Sequence, residues 1–592
     1  MMRRIFNLMK RKTLVSSTVA VMTLSAMFGL NHTIMASSTT MLEKKTIANT
    51  AAAPPAAGQM NPTLTPYFGQ SYKQPEQVKA LYPNPTIKFD TPGFKAGKQN
   101  FTTQEEMMKF LKDLDKKSKL MKMENSIYSL EGREIPLLIF TTSKNEHSAN
   151  FKRKPTVWIE GQIHGNEPAG GESLLVMAQQ LATGELGKDV LEKINVVMVP
   201  RKNPDGSYYF QRQNAKRLDA NRDHMKFELS DMREVNKAYQ RFKPEVAIAA
   251  HEEGVGNGTF PDIGEAGALK YYDINMAKQY NLNTPKSIFE KNDEWLINQA
   301  HKDLEKNGYS SSAYLLVERS KDGEYKVSEE GTEPRFETTY QGLQPSFSLF
   351  IESRGIGIGR ENFERRVAAQ VTTQTSLLKT TARLASEIKS TVKAAREEVV
   401  RKGETVKDND KIIITSTHQE LAEKKLLKVV DIAKGEVVEI PVKYLSLDKG
   451  IPTLERVRPN AYILPPAYHD IAEKLQIAGI KVSKLKEEKV LTVERYMVTE
   501  QKAESPYYQG HILNNVKTEV QEKKYVFPKG SYVFQMNQPA ANLIAEALEP
   551  EAVDSFVRFN FVPVNVGEEI PIYRYMKEER LNVEPVKKNI GE

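Results

Sequence analysis

Residues 156–168 read Thr156-Val157-Trp158-Ile159-Glu160-Gly161-Gln162-Ile163-His164-Gly165-Asn166-Glu167-Pro168, and this stretch decides how the rest of the chain is read. A short β-rich run passes into a glycine-bounded turn carrying a histidine and a glutamate in H-x-x-E spacing. A sharp turn there lets both side chains reach one metal ion, and glycine permits the turn. Taken alone the motif is weak, and its bland reading is a polar loop in which Glu167 caps the following helix. Runs of the same kind recur at 194–199, 246–250 and 347–351, with helical patterns at 170–181 and 232–242 between them. This alternation predicts an α/β fold, a mixed β-sheet with flanking helices.

In such sheets, sites form outside the carboxyl ends of the strands. His164, the 203–222 segment, His251 and Glu352 all follow strand-like runs at that end. His251, read as ending its strand, offers the third N/O ligand that a catalytic zinc needs, leaving the fourth position open. The other histidines sit in no comparable context and read as surface or core residues. His224 is the one of interest among them, because it lies close to Asn221 and Arg222.

Working outward, a helix is expected after Thr102-Thr103, with Glu105 and Glu106 in its first turn, then strands near 125–130 and 135–141. A single long helix over 377–402 closes the region. Beyond 403 the texture changes, with runs at 428–430, 436–442, 490–496 and 532–535 and one helix near 468–475. This predicts a β-rich C-terminal domain with no diagnostic motif. The Lys-Glu-rich stretches 484–489 and 519–524 read as solvated hairpin or loop faces.

The 592 residues exceed what one core organises. Arg3, Arg4, Lys10, Arg11 and Lys12 precede an apolar run over 14–30 and then Ala36, the order of a secretory signal peptide. An uncleaved anchor is the competing reading. Residues 37–66, rich in Ala, Pro, Ser and Thr, read as a disordered linker or pro-segment. The expected division is therefore signal peptide 1–36, linker 37–66, catalytic domain 67–402 and C-terminal domain 403–592. Five of the eight net positive charges lie in the first 36 residues, leaving +3, so there is no electrostatic case for a nucleic-acid partner. No second apolar run of that length occurs, so no membrane span is expected after signal removal. The chain reads as secreted and extracellular, with contact to the cell wall as one destination. There is no cysteine, which removes thiol proteases and Cys-ligated zinc from consideration.

In chain order the motifs are His164/Glu167, Asn203-Pro204-Asp205-Gly206, Arg212, Asn221-Arg222, His251 and Glu352. As an ordered set they resemble the zinc metallocarboxypeptidases of the carboxypeptidase A type, over roughly residues 101–384. The resemblance implies one Zn2+ per chain held by His164, Glu167 and His251. It implies Glu352 as the catalytic base, Arg212 as the oxyanion partner, and Asn221 and Arg222 as the clamp for a substrate's terminal carboxylate. The substrate would be a peptide with a free C-terminus. Against these stand plainer readings: Arg212 and Arg222 as surface ion pairs, Arg217 as a rival to Arg212, and Glu352 paired with Arg354.

The family also has a tyrosine on a loop before the last strand, and no motif chooses between Tyr325 and Tyr340. Counting back from Glu352, Glu337 and Arg335 lie where a side-chain-selecting residue belongs, and they favour opposite charges. Gly355-Ile356-Gly357-Ile358-Gly359 has no βαβ context for a phosphate loop and reads as a flexible rim. Three alternatives stay open: a cell-wall peptide hydrolase, an amidase or deacylase on the same scaffold, and a non-catalytic binding protein.

Overall fold

The computed structural model describes residues 69–587. The expected signal peptide and linker lie outside the described residues.

The strand Thr156–Gly161 is buried along its whole length. It pairs in parallel with Asn195–Val199 on one side and Val246–Gly254 on the other. Alternate side chains leave opposite faces of a strand, and here both faces are covered. Val157 and Ile159 enter the cluster formed with the helices Pro168–Thr183 and Phe363–Arg383. Trp158 enters the opposite cluster, with its ring 5.5 Å from that of Tyr239 on the helix Ser230–Phe242. An apolar run without polar alternation is what a strand covered on both faces requires.

The full sheet has eight strands, ordered Met121–Tyr128, Glu134–Phe140, Asn195–Val199, Thr156–Gly161, Val246–Gly254, Phe347–Ile356, Ile274–Lys278 and Ser311–Ala313. Pairing is parallel from Asn195–Val199 through Phe347–Ile356, antiparallel through the two strands before that block and between Phe347–Ile356 and Ile274–Lys278, and parallel again between Ile274–Lys278 and the edge strand Ser311–Ala313. The expected mixed α/β architecture is the one observed. Two expectations are corrected. The strands carrying His251 and Glu352 run on to Gly254 and Ile356, because the ladder between them continues past the apolar run. His251 and Glu352 therefore sit inside their strands, as direct cross-strand partners on one face. The long helix is two, Phe363–Arg383 and Ala385–Lys402, broken at Leu384 (φ −104°, ψ 26°). No proline or glycine marks the break. The first segment packs on Pro168–Thr183 and Asn298–Lys306, the second mainly on Lys286–Lys291.

The helix after Thr103 forms as Gln104–Lys117 with a reciprocal capping box between Thr103 and Glu106. The C-terminal region is β-rich, as expected. A seven-stranded sheet, wholly antiparallel, is ordered Asn514–Phe527, Lys489–Ala503, Glu569–Tyr575, Ala461–Leu464, Tyr532–Gln535, Ser483–Leu485 and Val583–Pro585. The charged stretch 519–524 lies within the edge strand Asn514–Phe527, where Glu519, Glu522, Lys523 and Lys524 place charge along a strand paired on one side only. A six-stranded sheet draws Ala268–Lys270, Leu316–Arg319 and Tyr325–Ser328 together with Lys411–Glu420, Lys425–Asp431 and Glu436–Val457. Strands from both sides of position 403 thus share one sheet. Among the described residues no helix is long and apolar enough to cross a membrane.

Candidate active site

The H-x-x-E turn is pressed against the Asn203-Pro204-Asp205-Gly206 turn. A Cβ on Gly165 would lie 1.9 Å from the carbonyl carbon of Gly206, so only glycine fits there. Asn203 caps the helix Pro204–Tyr209 by accepting from Gly206 N at 2.8 Å. Asp205 is held by Ser129 Oγ and Arg133 Nη1, both at 2.6 Å. Glu167 occupies the cap position of Pro168–Thr183 but makes no capping hydrogen bond. Its carboxylate turns instead between two histidines.

His164 Nδ1 lies 2.6 Å from Glu167 Oε1, and His251 Nδ1 lies 3.0 Å from Glu167 Oε2. All three residues are buried, and their candidate ligand atoms lie within 4.8 Å of one another. Among the described residues no other group of His, Cys, Asp or Glu converges in this way. Two imidazoles and a carboxylate are a donor set suited to zinc, so the residues present fit the ion. The far nitrogens are engaged by other carboxylates, His164 Nε2 by Asp219 Oδ1 at 3.1 Å and His251 Nε2 by Glu337 Oε1 at 2.8 Å. Such partners fix the ring and leave the inner nitrogen free to donate its lone pair. Burial alone would raise the Glu167 carboxyl, but the two histidines hold it low. Burial likewise would lower His251, yet its hydrogen bonds to Glu167 and Glu337 push it well up.

Asp219 and Glu337 escaped the sequence reading in these positions. Asp219 does carry a local signal, because it caps the short Ala220–Arg222 turn in which Asn221 and Arg222 lie. Glu337 is one of the two positions, with Arg335, that the sequence offers for selecting the substrate side chain. Instead its second oxygen accepts from Lys202 Nζ at 2.7 Å, and Lys202 also meets Glu160 Oε2 at 2.9 Å. This chain of charges is buried throughout. Arg335, the other candidate, pairs with Asp554 at 2.6 Å.

A cavity of about 240 Å³ opens over the metal group and is lined by His164, His251, Glu352, Arg212, Asn221 and Arg222 among others. Every site residue expected from the sequence lines this cavity except Glu167, which is buried between the two histidines. Glu352 Oε2 is buried and has no hydrogen-bond partner. Burial pushes its carboxyl well above the usual range, with His251 opposing and Glu167 and Glu253 reinforcing the shift. Arg354 points elsewhere, to Lys270 O and Gln74. Arg212 is fixed by Asp219 through Nε (3.0 Å) and Nη2 (2.9 Å), with Nη1 3.3 Å from His164 Nδ1. Arg217 is exposed on a turn. Arg222 lies with its guanidinium 4.2 Å above the Phe336 ring and 3.9 Å from Asp219.

The cavity's tyrosine is Tyr314, which the sequence reading did not single out. Tyr340 is buried and donates to Ala478 O, and Tyr325 bonds Asp262 in the six-stranded sheet. His224 is buried beside Tyr340, outside the metal group. Gly357, in the expected flexible rim, is tied by its carbonyl to Ser71 N and Tyr72 N.

A family model described as zinc carboxypeptidase matches residues 107–252. Carboxypeptidase 2 of Trichophyton rubrum is 32% identical over 487 residues, covering 81% of this chain and 88% of the relative. Carboxypeptidase 2 of Trichophyton tonsurans is 31% identical over 484 residues, with the same coverage. Of the solved structures, carboxypeptidase A from Helicoverpa armigera aligns with 52% of this chain and 80% of its own at 14% identity and a TM-score of 0.39.

Proposed function

Since this chain belongs to the zinc carboxypeptidase family, we propose that it cleaves the last residue from peptides with a free terminal carboxylate, using Glu352 as base. The observation that carries the reading is one cavity that opens over the His164, Glu167 and His251 group and is lined by an unpartnered buried carboxylate and two arginines. His164, Glu167 and His251 would hold the zinc, which when bound would supply Lewis-acid polarisation of the scissile carbonyl and of water.

The chain's own groups do the rest. Glu352, desolvated and raised in basicity, takes a proton from water as the water oxygen adds to the carbonyl carbon. It returns that proton to the amide nitrogen, the C–N bond breaks, and the amine leaves. Arg212, held by Asp219, donates to the oxygen that gains charge, a contribution of about 3 kcal/mol in comparable sites. Arg222 presents a planar fork to the terminal carboxylate, with Asn221 beside it.

We further propose that residues 1–36 direct secretion. The support is their order of cations, apolar run and small residue, and N-terminal sequencing of protein recovered from medium tests it.

The test of the mechanism is Glu352→Gln. It should keep its zinc and lose at least about 10²-fold in turnover, the usual contribution of a general base. Near-normal turnover would place the base elsewhere. Glu252 is poorly placed for that, because Arg366 and the backbone of Ala169 already occupy its oxygens.

A further inference from the structure

The C-terminal sheet reaches the proposed site through the tip of one hairpin. The strands Lys489–Ala503 and Asn514–Phe527 are joined by a loop that ends in the turn Tyr508-Gln509-Gly510-His511. Its outer residues exchange backbone hydrogen bonds at 2.7 and 2.9 Å. Both central residues have positive φ, 46° at Gln509 and 90° at Gly510, the pattern of a type I′ turn. Glycine suits the second position. Glutamine at the first is in a region that residues with a Cβ seldom occupy, and held strain of this kind clusters at functional sites.

The turn is docked on the 219–228 segment. His511 Nε2 lies 2.9 Å from Glu228 Oε2, with its ring against Phe559 and Phe561. Tyr508 lies beneath the Arg335 guanidinium at 5.5 Å. Between these anchors, Gln509 Oε1 accepts from the backbone N of Asp219 at 2.8 Å. Asp219 is buried, so this acceptor satisfies a backbone donor that would otherwise be orphaned. The same residue's carboxylate holds His164 Nε2, the Arg212 guanidinium and Asn221 N.

We propose that Gln509 is a positioning residue of the peptidase site, and that the C-terminal region serves to supply it. Gln509 fixes the backbone of Asp219, and Asp219 in turn sets a metal ligand, the oxyanion arginine and the start of the carboxylate clamp. The inference rests on the proposed roles of Arg212 and Arg222.

Two variants test it, each assayed on a matched peptide pair with free and amidated C-termini. Gln509→Met keeps the length and the strained backbone but has no acceptor oxygen. It should raise KM for the free acid and lower kcat/KM by about tenfold, the scale of one lost bond to a buried group. The preference for acid over amide should shrink while zinc stays at one per chain. Gln509→Glu keeps an acceptor and should recover most of the loss. Gln509→Gly removes strain and acceptor together, so its melting temperature should stay near wild type while KM still rises. A merely structural role would leave KM and the acid-to-amide ratio unchanged and move only stability or the active fraction. That result in Gln509→Met and Gln509→Gly overturns the inference. If the unaltered enzyme itself fails to distinguish acid from amide, the proposed function fails instead.

Discussion

Lys202→Met probes the buried charges behind His251. Lys202 Nζ stands 2.7 Å from Glu337 and 2.9 Å from Glu160, and all three side chains are almost wholly buried. At an effective dielectric near 20, each contact corresponds to about 6 kcal/mol of attraction. Dehydration of three charges and repulsion between the carboxylates offset most of that. Removing one member of a buried ion pair costs about 3–5 kcal/mol, because a charge is left uncompensated.

Here one carboxylate has an escape. Burial already pushes Glu160 up to about 7, so it can take a proton once Lys202 is gone. The expected loss is therefore at the lower end, about 3 kcal/mol near neutral pH. A carboxyl raised in the folded state keeps a proton that the unfolded chain has released. Its contribution to stability falls as pH rises from the unfolded value through the folded one. Losing Lys202 raises Glu160 further, so the deficit should be larger at about pH 8 than at about pH 5. Urea unfolding followed by tryptophan fluorescence at both pH values reads this. Equal midpoints for variant and wild type, or a deficit that grows toward acid, would refute the reasoning.

Other outcomes follow from the same geometry. Glu337→Gln removes the anion behind His251 and should weaken zinc binding by about 10–100-fold, read by competition with a chromogenic chelator. His164→Ala and His251→Ala should each lose zinc on dialysis, and full occupancy in both would contradict the ligand assignment.

The sheet and the ligand loop were legible because they depend on local chemistry. Thr156–Gly161 shows its burial on both faces in the consecutive apolar residues Val157, Trp158 and Ile159, and the glycines at 161 and 165 permit the turn that follows. The break at Leu384 was not legible, since two packing surfaces impose it without a helix-breaking residue. The helix Ala541–Leu548 is buried all round, so it offers no amphipathic stripe to find. Within the site, residues that touch the cavity could be read from motif order. Those that hold them in place could not. Lys202, Glu337 and Gln509 come from three distant segments, and their partners are set by tertiary contact alone.

The most direct test of the account is the hydrolysis of one peptide in two forms, free acid and C-terminal amide, by the zinc-loaded enzyme with and without chelator. A carboxylate held by Arg222 gains charge-assisted bonds of about 1.5–3 kcal/mol each that an amide cannot form. The last residue should be released fast from the acid, the amide attacked at least about tenfold more slowly, and both activities lost on chelation, with Arg222→Lys narrowing the gap while zinc is retained. Equal rates on acid and amide, or activity that survives full removal of zinc, would contradict the account.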